Sequence, residues 1–193
     1  MEGAVQVNFR MVEGQKRLWV SLIDRILEAR STIKGIVHTT SFERARYLQQ
    51  YSSQRSRLLL NESRNTRDVV ASFKAAKSPL VLVSPSVTTG WDFPYDQCSF
   101  QVIGKVPFPD LRGKAARVKS ERNKEWAGYM AAQQMVQASG RGMRARDDQC
   151  ETFIADGAFG WWYGKNKKYT PKWWQEAVQW CKPGVIPEAP NGN

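Results

Sequence analysis

The sequence predicts an α/β fold in which a mostly parallel central sheet is flanked by helices in three layers. Short apolar runs typical of strands alternate along the chain with longer segments whose apolar residues recur at helical spacing. One run, SPLVLVSP at residues 78–85, is almost continuously apolar, as strands buried on both faces of a parallel sheet are. Alternation of this kind places helices on both faces of one sheet.

The predicted elements follow one another in a regular order. The first helix, at residues 16–30, carries one apolar stripe formed by Leu18, Trp19, Leu22, Ile23, Ile26 and Leu27. Strands are predicted in residues 34–40, 56–63, 78–85, 98–109 and 150–156, and further helices in residues 40–51, 65–77, 120–138 and 172–181. The second helix begins with Thr40 and Glu43 at the spacing of a capping box.

The length of 193 residues favours one domain with a sizeable core. We expect this domain to span residues 1–181, with residues 1–15 irregular. Residues 182–193 are rich in proline, glycine and asparagine and are predicted to form a flexible tail.

The charge of the chain limits the partners that it can take. A net charge of +11 and a pI of about 9.8 favour partners that carry phosphates, chiefly nucleic acid and less decisively a nucleotide. No apolar run approaches the ~18 residues of a membrane span, and the N-terminus lacks the apolar core of a signal peptide. We therefore expect no membrane partner and a cytoplasmic or other reducing compartment.

Cysteine and histidine are too sparse for several kinds of site. Cys98, Cys150 and Cys181 lack the close spacing of zinc or iron–sulfur ligands, which predicts packed, reduced thiols and no metal site. His38 is the only histidine, and a chain with one histidine cannot form a site with two histidine ligands. We expect His38 to be packed rather than catalytic.

Polar segments follow three of the predicted strands. These segments are HTTS at residues 38–41, SPSVTTGWD at residues 84–92 and DGAFG at residues 156–160. In an open parallel sheet the carboxyl ends of the strands lie at one edge, and ligands bind there. We therefore expect the three segments to crowd that edge.

Three motifs in a fixed order carry a family resemblance. QASGRGMR at residues 137–144 fits the pattern Q-x-x-G-R-x-x-R, SPSVTTGWDFPYD begins at Ser84, and KGIVHTTSFERARYLQQ begins at Lys34. They resemble motifs VI, V and IV of superfamily 2 helicases, and their order is similar to that of the second RecA-like domain of DinG/XPD-like DNA helicases. The resemblance implies a three-layer RecA-like fold over residues 16–179.

Motif VI has a physical interpretation of its own. Guanidinium groups are planar, permanently charged forks that match phosphate oxygens, and arginines three residues apart on a helix point the same way. The resemblance implies that Arg141 and Arg144 are arginine fingers toward ATP, with Gln137 and Gly140 at the same nucleotide. Gly140 and Gly142 would let the backbone pass close to its neighbours. A basic surface turn paired with Asp147 and Asp148 is the alternative, and Arg146 lies outside the pattern.

Motif V is expected to have a nucleotide side and a strand side. The resemblance implies that Gly90 and Asp92 face the nucleotide and that Ser84, Thr88 or Thr89 contacts the DNA backbone, as hydroxyls do without reading bases. Many DinG-like proteins have a glutamate before this glycine, where the chain has Thr89. For Asp92 alone, an Asx turn or helix cap is an equal alternative.

Motif IV and the basic residues offer further contacts to a nucleic-acid backbone. Thr39, Thr40 and Ser41 stand between a strand and a helix, where their N–H groups and hydroxyls can bind a phosphate or simply cap the helix. Lys105 is expected to contact nucleic acid. Further basic residues line the same track or a solvated helix face: Arg112, Lys114, Arg117, Lys119, Arg122 and Lys124.

The C-terminal tryptophans stand among lysines. Aromatic rings interleaved with cations suit the stacking of single-stranded bases, whereas paired tryptophans on a terminal helix more often pack on a core. Both alternatives remain open for Trp161, Trp162, Trp173, Trp174 and Trp180.

Half of an ATP-driven motor is missing from the sequence. The chain has neither a G-x-x-x-x-G-K-[ST] loop nor a D-E-x-H-type magnesium site. We therefore expect ATP and Mg²⁺ to be held mainly by a first RecA-like domain, in cis or in trans, and no ATP hydrolysis by this chain alone. The expected substrate is single-stranded DNA, with RNA as an open alternative.

Two other functions compete with the motor domain. A helicase-like fold could serve as a non-catalytic module that binds nucleic acid or a replication partner. A nucleotide-using transferase is a third class, for which Asp92 is the one candidate base near a binding loop.

Overall fold

The computed structural model of the protein describes residues 5–8, 10–61, 66–85, 91–142, 148–182 and 185–188. In these residues the strands are β1 (Gly35–His38), β2 (Leu58–Leu60), β3 (Val81–Ser84), β4 (Phe100–Ile103) and β5 (Glu151–Ile154). The α-helices are α1 (Glu13–Ala29), α2 (Phe42–Tyr51), α3 (Thr66–Ala75), α4 (Lys114–Arg122), α5 (Trp126–Ser139), α6 (Phe159–Asn166) and α7 (Lys172–Ala177).

The five strands form one parallel sheet in the order β2-β3-β1-β4-β5. The register places His38 at the end of β1 beside Ser84 of β3 and Ile103 of β4, and Ile103 beside Ile154 of β5. All carboxyl ends therefore lie at one edge, which confirms the crowding predicted there for HTTS and DGAFG.

The two faces of the sheet are buried against different helices, so the predicted three layers are confirmed. Alternate strand residues such as Val37, Val83 and Val102 pack with the apolar stripe of α1 and with α2. On the other face, Ile36 and Leu82 pack with α3. A third cluster joins the end of β4 to α5, α6 and α7.

The helix predicted over residues 120–138 is divided in the structure. α4 ends at Arg122 and α5 begins at Trp126. The Asn123 side-chain oxygen accepts a hydrogen bond from the Glu125 N–H at 2.9 Å, a local bond that competes with helix continuation.

The C-terminal helices also differ from the prediction. The sequence analysis gave no helix at α6, since Gly160 and Gly164 are weak helix formers, but Phe159 and Trp162 pack into the core and hold it. The last predicted helix, residues 172–181, ends at Ala177. Beyond it, Ile186 packs on the core and the Pro187 carbonyl accepts from Arg30 at 3.0 Å.

The cysteines are free thiols that differ in exposure. Cys98 is buried and Cys150 is half-buried beside it, with the two sulfurs 3.8 Å apart. Cys181 is exposed, so the prediction of a packed thiol is wrong at that position. None of the described helices combines the length and the apolar character needed to cross a membrane.

Candidate nucleotide and nucleic-acid site

The threonine turn, Thr39–Ser41, joins β1 to α2 at the carboxyl edge. Thr40 has a φ of 61°, in the left-handed region that a β-branched residue seldom adopts. Ser41 is the extended N-cap residue of α2, and its hydroxyl accepts from the Arg44 N–H at 3.3 Å. The predicted capping box of Thr40 and Glu43 is therefore wrong, because the left-handed Thr40 cannot take the extended conformation of an N-cap.

Arg44 lies over the threonine turn. Its Nη1 donates to the Ser41 hydroxyl at 3.1 Å and to the Thr40 hydroxyl at 3.4 Å. Burial lowers the pKa of the Arg44 guanidinium, while the negative charges of Glu43 and Asp156 raise it. A partly buried cation thus stands on the hydroxyls that the sequence predicts to bind a phosphate.

Lys105 adds a second partly buried cation at the same edge. Burial lowers the pKa of Lys105, Asp156 raises it, and the positive charge of Arg44 lowers it further. The carboxylate of Asp156 already accepts three backbone N–H groups, those of Val7, Val106 and Ala158, each at 2.9 Å. Within the described chain neither Arg44 nor Lys105 forms a salt bridge, so positive charge is concentrated there.

Ser84, at the end of β3, is fully buried beside the threonine turn. Its backbone oxygen accepts from the Thr39 N–H at 3.2 Å, and its hydroxyl accepts from the Asn61 side chain at 2.7 Å. The remaining predicted strand contacts of motif V, Thr88 and Thr89, lie outside the described residues, as does Gly90.

The arginine turn, Ser139–Gly142, follows α5 and brings motif VI to motif V. Arg141 Nη1 donates to the Trp91 carbonyl at 3.1 Å and lies 3.6 Å from an Asp92 carboxylate oxygen. The Arg141 side chain is 15% exposed, whereas that of Asp92 is 64% exposed. Gln137 is exposed one turn earlier on α5. The predicted finger Arg144 and its neighbour Arg146 lie outside the described residues.

The two glycines of the arginine turn have different surroundings. A Cβ on Gly142 would lie 2.2 Å from the Cys150 sulfur and 3.0 Å from the Cys98 carbonyl oxygen, so only glycine fits there without displacement. A Cβ on Gly140 would meet nothing within 4 Å. Gly142 therefore passes close to its neighbours within the domain, whereas the approach of Gly140 to a nucleotide stays a prediction.

Gln101, a fully buried amide in β4, anchors the arginine turn. Its Nε2 donates to the Ser139 carbonyl at 2.8 Å and to the Thr152 hydroxyl at 2.9 Å. Its oxygen lies 3.1 Å from His38 Nε2. One side chain thus connects the last residue of α5 to the residue before the threonine turn.

His38 is packed, as the sequence predicts. It is 1% exposed, and burial lowers its pKa to about 4, while the hydrogen bond that its Nε2 donates to the Gln101 oxygen raises the pKa and the charge of Arg141 lowers it. Its Nδ1 has no hydrogen-bond partner among the described residues. His38 is therefore neutral at physiological pH.

Arg44 and Gln101 were not predicted as site residues, and Asp156 was predicted only to lie at the carboxyl edge, as the first residue of DGAFG. A signal existed for Arg44, since it stands at the third helical position after the Ser41 cap. Gln101 acts through partners 38 to 63 residues away, and two of the three N–H groups on Asp156 come from 50 and 149 residues away. No local pattern marks such contacts.

The tryptophan pairs divide between core and surface. Trp162 and Trp174 are buried, whereas Trp161, Trp173 and Trp180 are exposed. The basic residues at 112, 114, 117, 119, 122 and 124 are also exposed. Among the residues that the structure describes, no group of His, Cys, Asp and Glu side chains could hold a metal ion.

Comparison with known proteins yields a family and a fold. The family model described as helicase C-terminal domain matches residues 25–177. A search of curated protein sequences finds no match to the chain.

Solved structures with the same fold include helicases. An apo XPD structure matches with a TM-score of 0.68 and 18% identity over 86% of this chain and 37% of that chain. Xpd4 of S. tokodaii matches with a TM-score of 0.58 and 18% identity over 87% of this chain and 35% of that one. S. cerevisiae Dbp5 bound to RNA and ADP BeF3 matches with a TM-score of 0.54 and 12% identity over 80% of this chain and 36% of that chain. The chain thus spans about a third of the length of these XPD proteins.

Proposed function

The chain belongs to the helicase C-terminal domain family, and on that basis we propose that it is the second motor domain of an ATP-dependent DNA helicase. In this proposal it binds the backbone of single-stranded DNA at the carboxyl edge. It supplies Arg141 and Arg144 to ATP held by a separate first RecA-like domain.

The contact between the arginine turn and motif V carries the proposal. Arg141 reaches the Trp91 carbonyl and the neighbourhood of Asp92, so two motifs far apart in sequence meet around one guanidinium. The Asp92 pair is long, and the Asp92 carboxylate is mostly exposed, so the pair contributes little. A phosphate group is a stronger partner for a guanidinium, because its oxygens accept charge-assisted bonds.

ATP, when bound, supplies the phosphoanhydride whose hydrolysis drives the motor. Arg141 would neutralise negative charge on its phosphates, the role for which guanidinium groups are suited. No described cluster of this chain could hold a metal ion, so Mg²⁺ in this proposal is bound by the first domain.

The carboxyl edge supports strand binding. Arg44 and Lys105 offer two partly buried cations, and the threonine turn offers hydroxyls beside them. Such groups hold phosphates without reading sequence. The matched Dbp5 structure contains RNA and an ADP complex, which supports a strand and a nucleotide as ligands of this fold.

Strand-stimulated ATP hydrolysis tests the proposal in the motor assembled with its first domain. Arg141→Ala is expected to reduce the rate by roughly 10³-fold or more, the size seen for arginine fingers. Arg17→Ala, which removes a 52%-exposed guanidinium paired with Glu13, is the matched control and should leave the rate unchanged. Full activity of the Arg141→Ala variant would contradict the role of Arg141 as an arginine finger. Strand binding without any nucleotide response would favour a non-catalytic binding module.

A further inference from the structure

The exposed tryptophans of residues 159–182 have no part in the proposed motor site. Trp161, Trp173 and Trp180 are 59%, 54% and 63% exposed, although their neighbours Trp162 and Trp174 lie in the core. Tryptophan is highly buried on average, and clustered exposed aromatic surface marks a binding surface. The division within each pair leaves two indoles that face outward, and Trp180, which contacts Phe159, adds a third exposed ring.

Two of the three indoles, Trp161 and Trp180, lie at α6, and Trp173 and Trp180 line one groove. Trp180 packs against Phe159 with ring centroids 5.5 Å apart, and its ring lies 3.9 Å from where a Cβ on Gly160 would be. Trp161 follows Gly160 directly in the chain. Trp173 lines the same groove as Trp180, beside α1 and β5, with a volume of about 1270 Å³. The groove is larger than the roughly 300–1,000 Å³ of small-molecule pockets, which favours a polymer segment.

The charge of this surface favours a nucleic acid over an acidic or neutral peptide. Residues 159–182 contain five lysines against one glutamate. Lys168 is paired with Glu125 and Lys172 with Glu176, and the other three, Lys165, Lys167 and Lys182, form no salt bridge among the described residues. Lys165 Nζ lies 4.6 Å from the Trp161 ring centroid, so a cation already accompanies an exposed ring. The groove itself is lined by two cations, Arg25 and Lys182, and by three acids, of which Glu151 is paired with Arg30 and Asp156 accepts three backbone N–H groups. The positive charge therefore lies beside the groove, around Trp161 and Lys165, and not in its lining.

We propose that Trp161, Trp173 and Trp180 form a base-stacking surface for single-stranded nucleic acid. α6 begins three residues after Asp156, so the surface continues from the carboxyl edge where Arg44 and Lys105 bind phosphates in the proposed function. Flat indoles stack on any base, and lysines attract the backbone without reading sequence. The inference rests on the proposed strand binding and adds contacts to the bases themselves.

Two oligonucleotides of equal charge separate the contribution of base stacking from that of phosphate binding. Single-strand-binding sites span roughly 4–16 nucleotides, so a labelled oligothymidylate of about 12 nucleotides is compared with an abasic strand of the same length. Affinities of the full chain are measured by fluorescence anisotropy. The thymidylate is expected to bind more tightly than the abasic strand.

Trp161→Ala is the most informative variant, because its described ring contact is a lysine and not the core. It should weaken thymidylate binding about fivefold or more, the size expected for one lost base stack, and leave abasic binding unchanged. Trp161→Phe keeps a stacking ring and should retain most of the affinity. Trp173→Ala, also exposed, should repeat the selective loss, and thermal melting of each variant verifies folding.

The outcomes distinguish this inference from the proposed function. If the tryptophan variants bind both strands as the wild type does while Lys105→Ala weakens both, the stacking surface is wrong and the phosphate edge stands. Equal loss on both strands also overturns stacking. If the wild-type chain binds neither strand, the proposed strand binding itself fails.

Discussion

The threonine turn and the arginine turn are held in opposite ways. The side-chain bonds of the threonine turn are local: Thr39 donates to the Ser41 carbonyl and Arg44 to the Ser41 hydroxyl, within six residues of chain. One backbone bond, from the Thr39 N–H to the Ser84 carbonyl, ties the turn to β3. The arginine turn depends on distant partners. The Ser139 carbonyl accepts from Gln101 and its hydroxyl from Trp174, while Gly142 lies against Cys150.

This difference indicates different tasks for the two turns. A turn held mainly by local, partly buried side-chain bonds changes conformation with little disturbance of the core, whereas one anchored in distant buried contacts moves only with its domain. We therefore expect the threonine turn to adapt to a passing strand. The arginine turn should be carried as a rigid part toward or away from a nucleotide when the motor closes or opens.

The largest expected effect comes from Gln101→Leu, which removes the anchor of the arginine turn. His38, Ser139 and Thr152 each lose a buried hydrogen-bond partner, and at roughly 1–3 kcal/mol for each orphaned group the free energy of unfolding should fall by about 4 kcal/mol. Urea unfolding measures this fall in the free energy of unfolding. Thr152→Val removes one of these bonds and should cost about 1 kcal/mol. If Gln101→Leu lowers the free energy of unfolding no more than Thr152→Val does, the arginine turn does not need Gln101.

The next effect is acid sensitivity from His38, which connects the two turns. Its pKa is lowered from 6.5 to about 4 by burial, so between these values the unfolded chain binds a proton that the folded chain excludes. Stability at this site is complete above pH 6.5, falls as the pH falls, and is reduced by about 3 kcal/mol at pH 4. His38→Gln has no titrating ring.

The pH dependence of urea unfolding compares the two proteins. Wild type should lose more stability than His38→Gln over this window, and the difference between the two curves isolates the imidazole from the carboxylates. Parallel curves would mean that His38 is protonated in the folded domain, contrary to its burial.

The smallest effect belongs to the threonine turn. Ser41→Ala removes the N-cap hydroxyl of α2 and should lower the free energy of unfolding by about 1 kcal/mol. Ser41→Asn keeps a capping oxygen and should restore most of it. A loss as large as that of Gln101→Leu would erase the distinction between a locally held and a distantly anchored turn.

Features of the site that depend on local sequence could be predicted, whereas those that depend on distant contacts could not. Strand positions, the order of motifs and the packing of His38 could be predicted, since hydrophobic periodicity and motif spacing are local. Gln101 appears in the sequence as one polar residue within an apolar strand. Its role depends on Ser139 and Thr152, which chain folding alone brings to it.

Errors in the predicted elements also have local competitors as their cause. Ser41 replaces Thr40 as the cap because Thr40 is left-handed, and Asn123 interrupts a helix that periodicity would continue. The sequence could not show which tryptophans are buried and which are exposed, because Trp161 and Trp162 are neighbours of identical type. Their exposure depends on which one faces α5 and α7.

The kcat and KM of ATP hydrolysis in the assembled motor test the central claim most directly. If the arginine turn completes the ATP site, Arg141→Ala lowers kcat by roughly 10³-fold or more while KM for ATP changes little, since the guanidinium acts mainly in the transition state. Arg141→Lys keeps the charge but loses the planar fork and should recover only part of kcat. An unchanged kcat with a raised KM would contradict the account, because Arg141 would then serve ground-state binding alone.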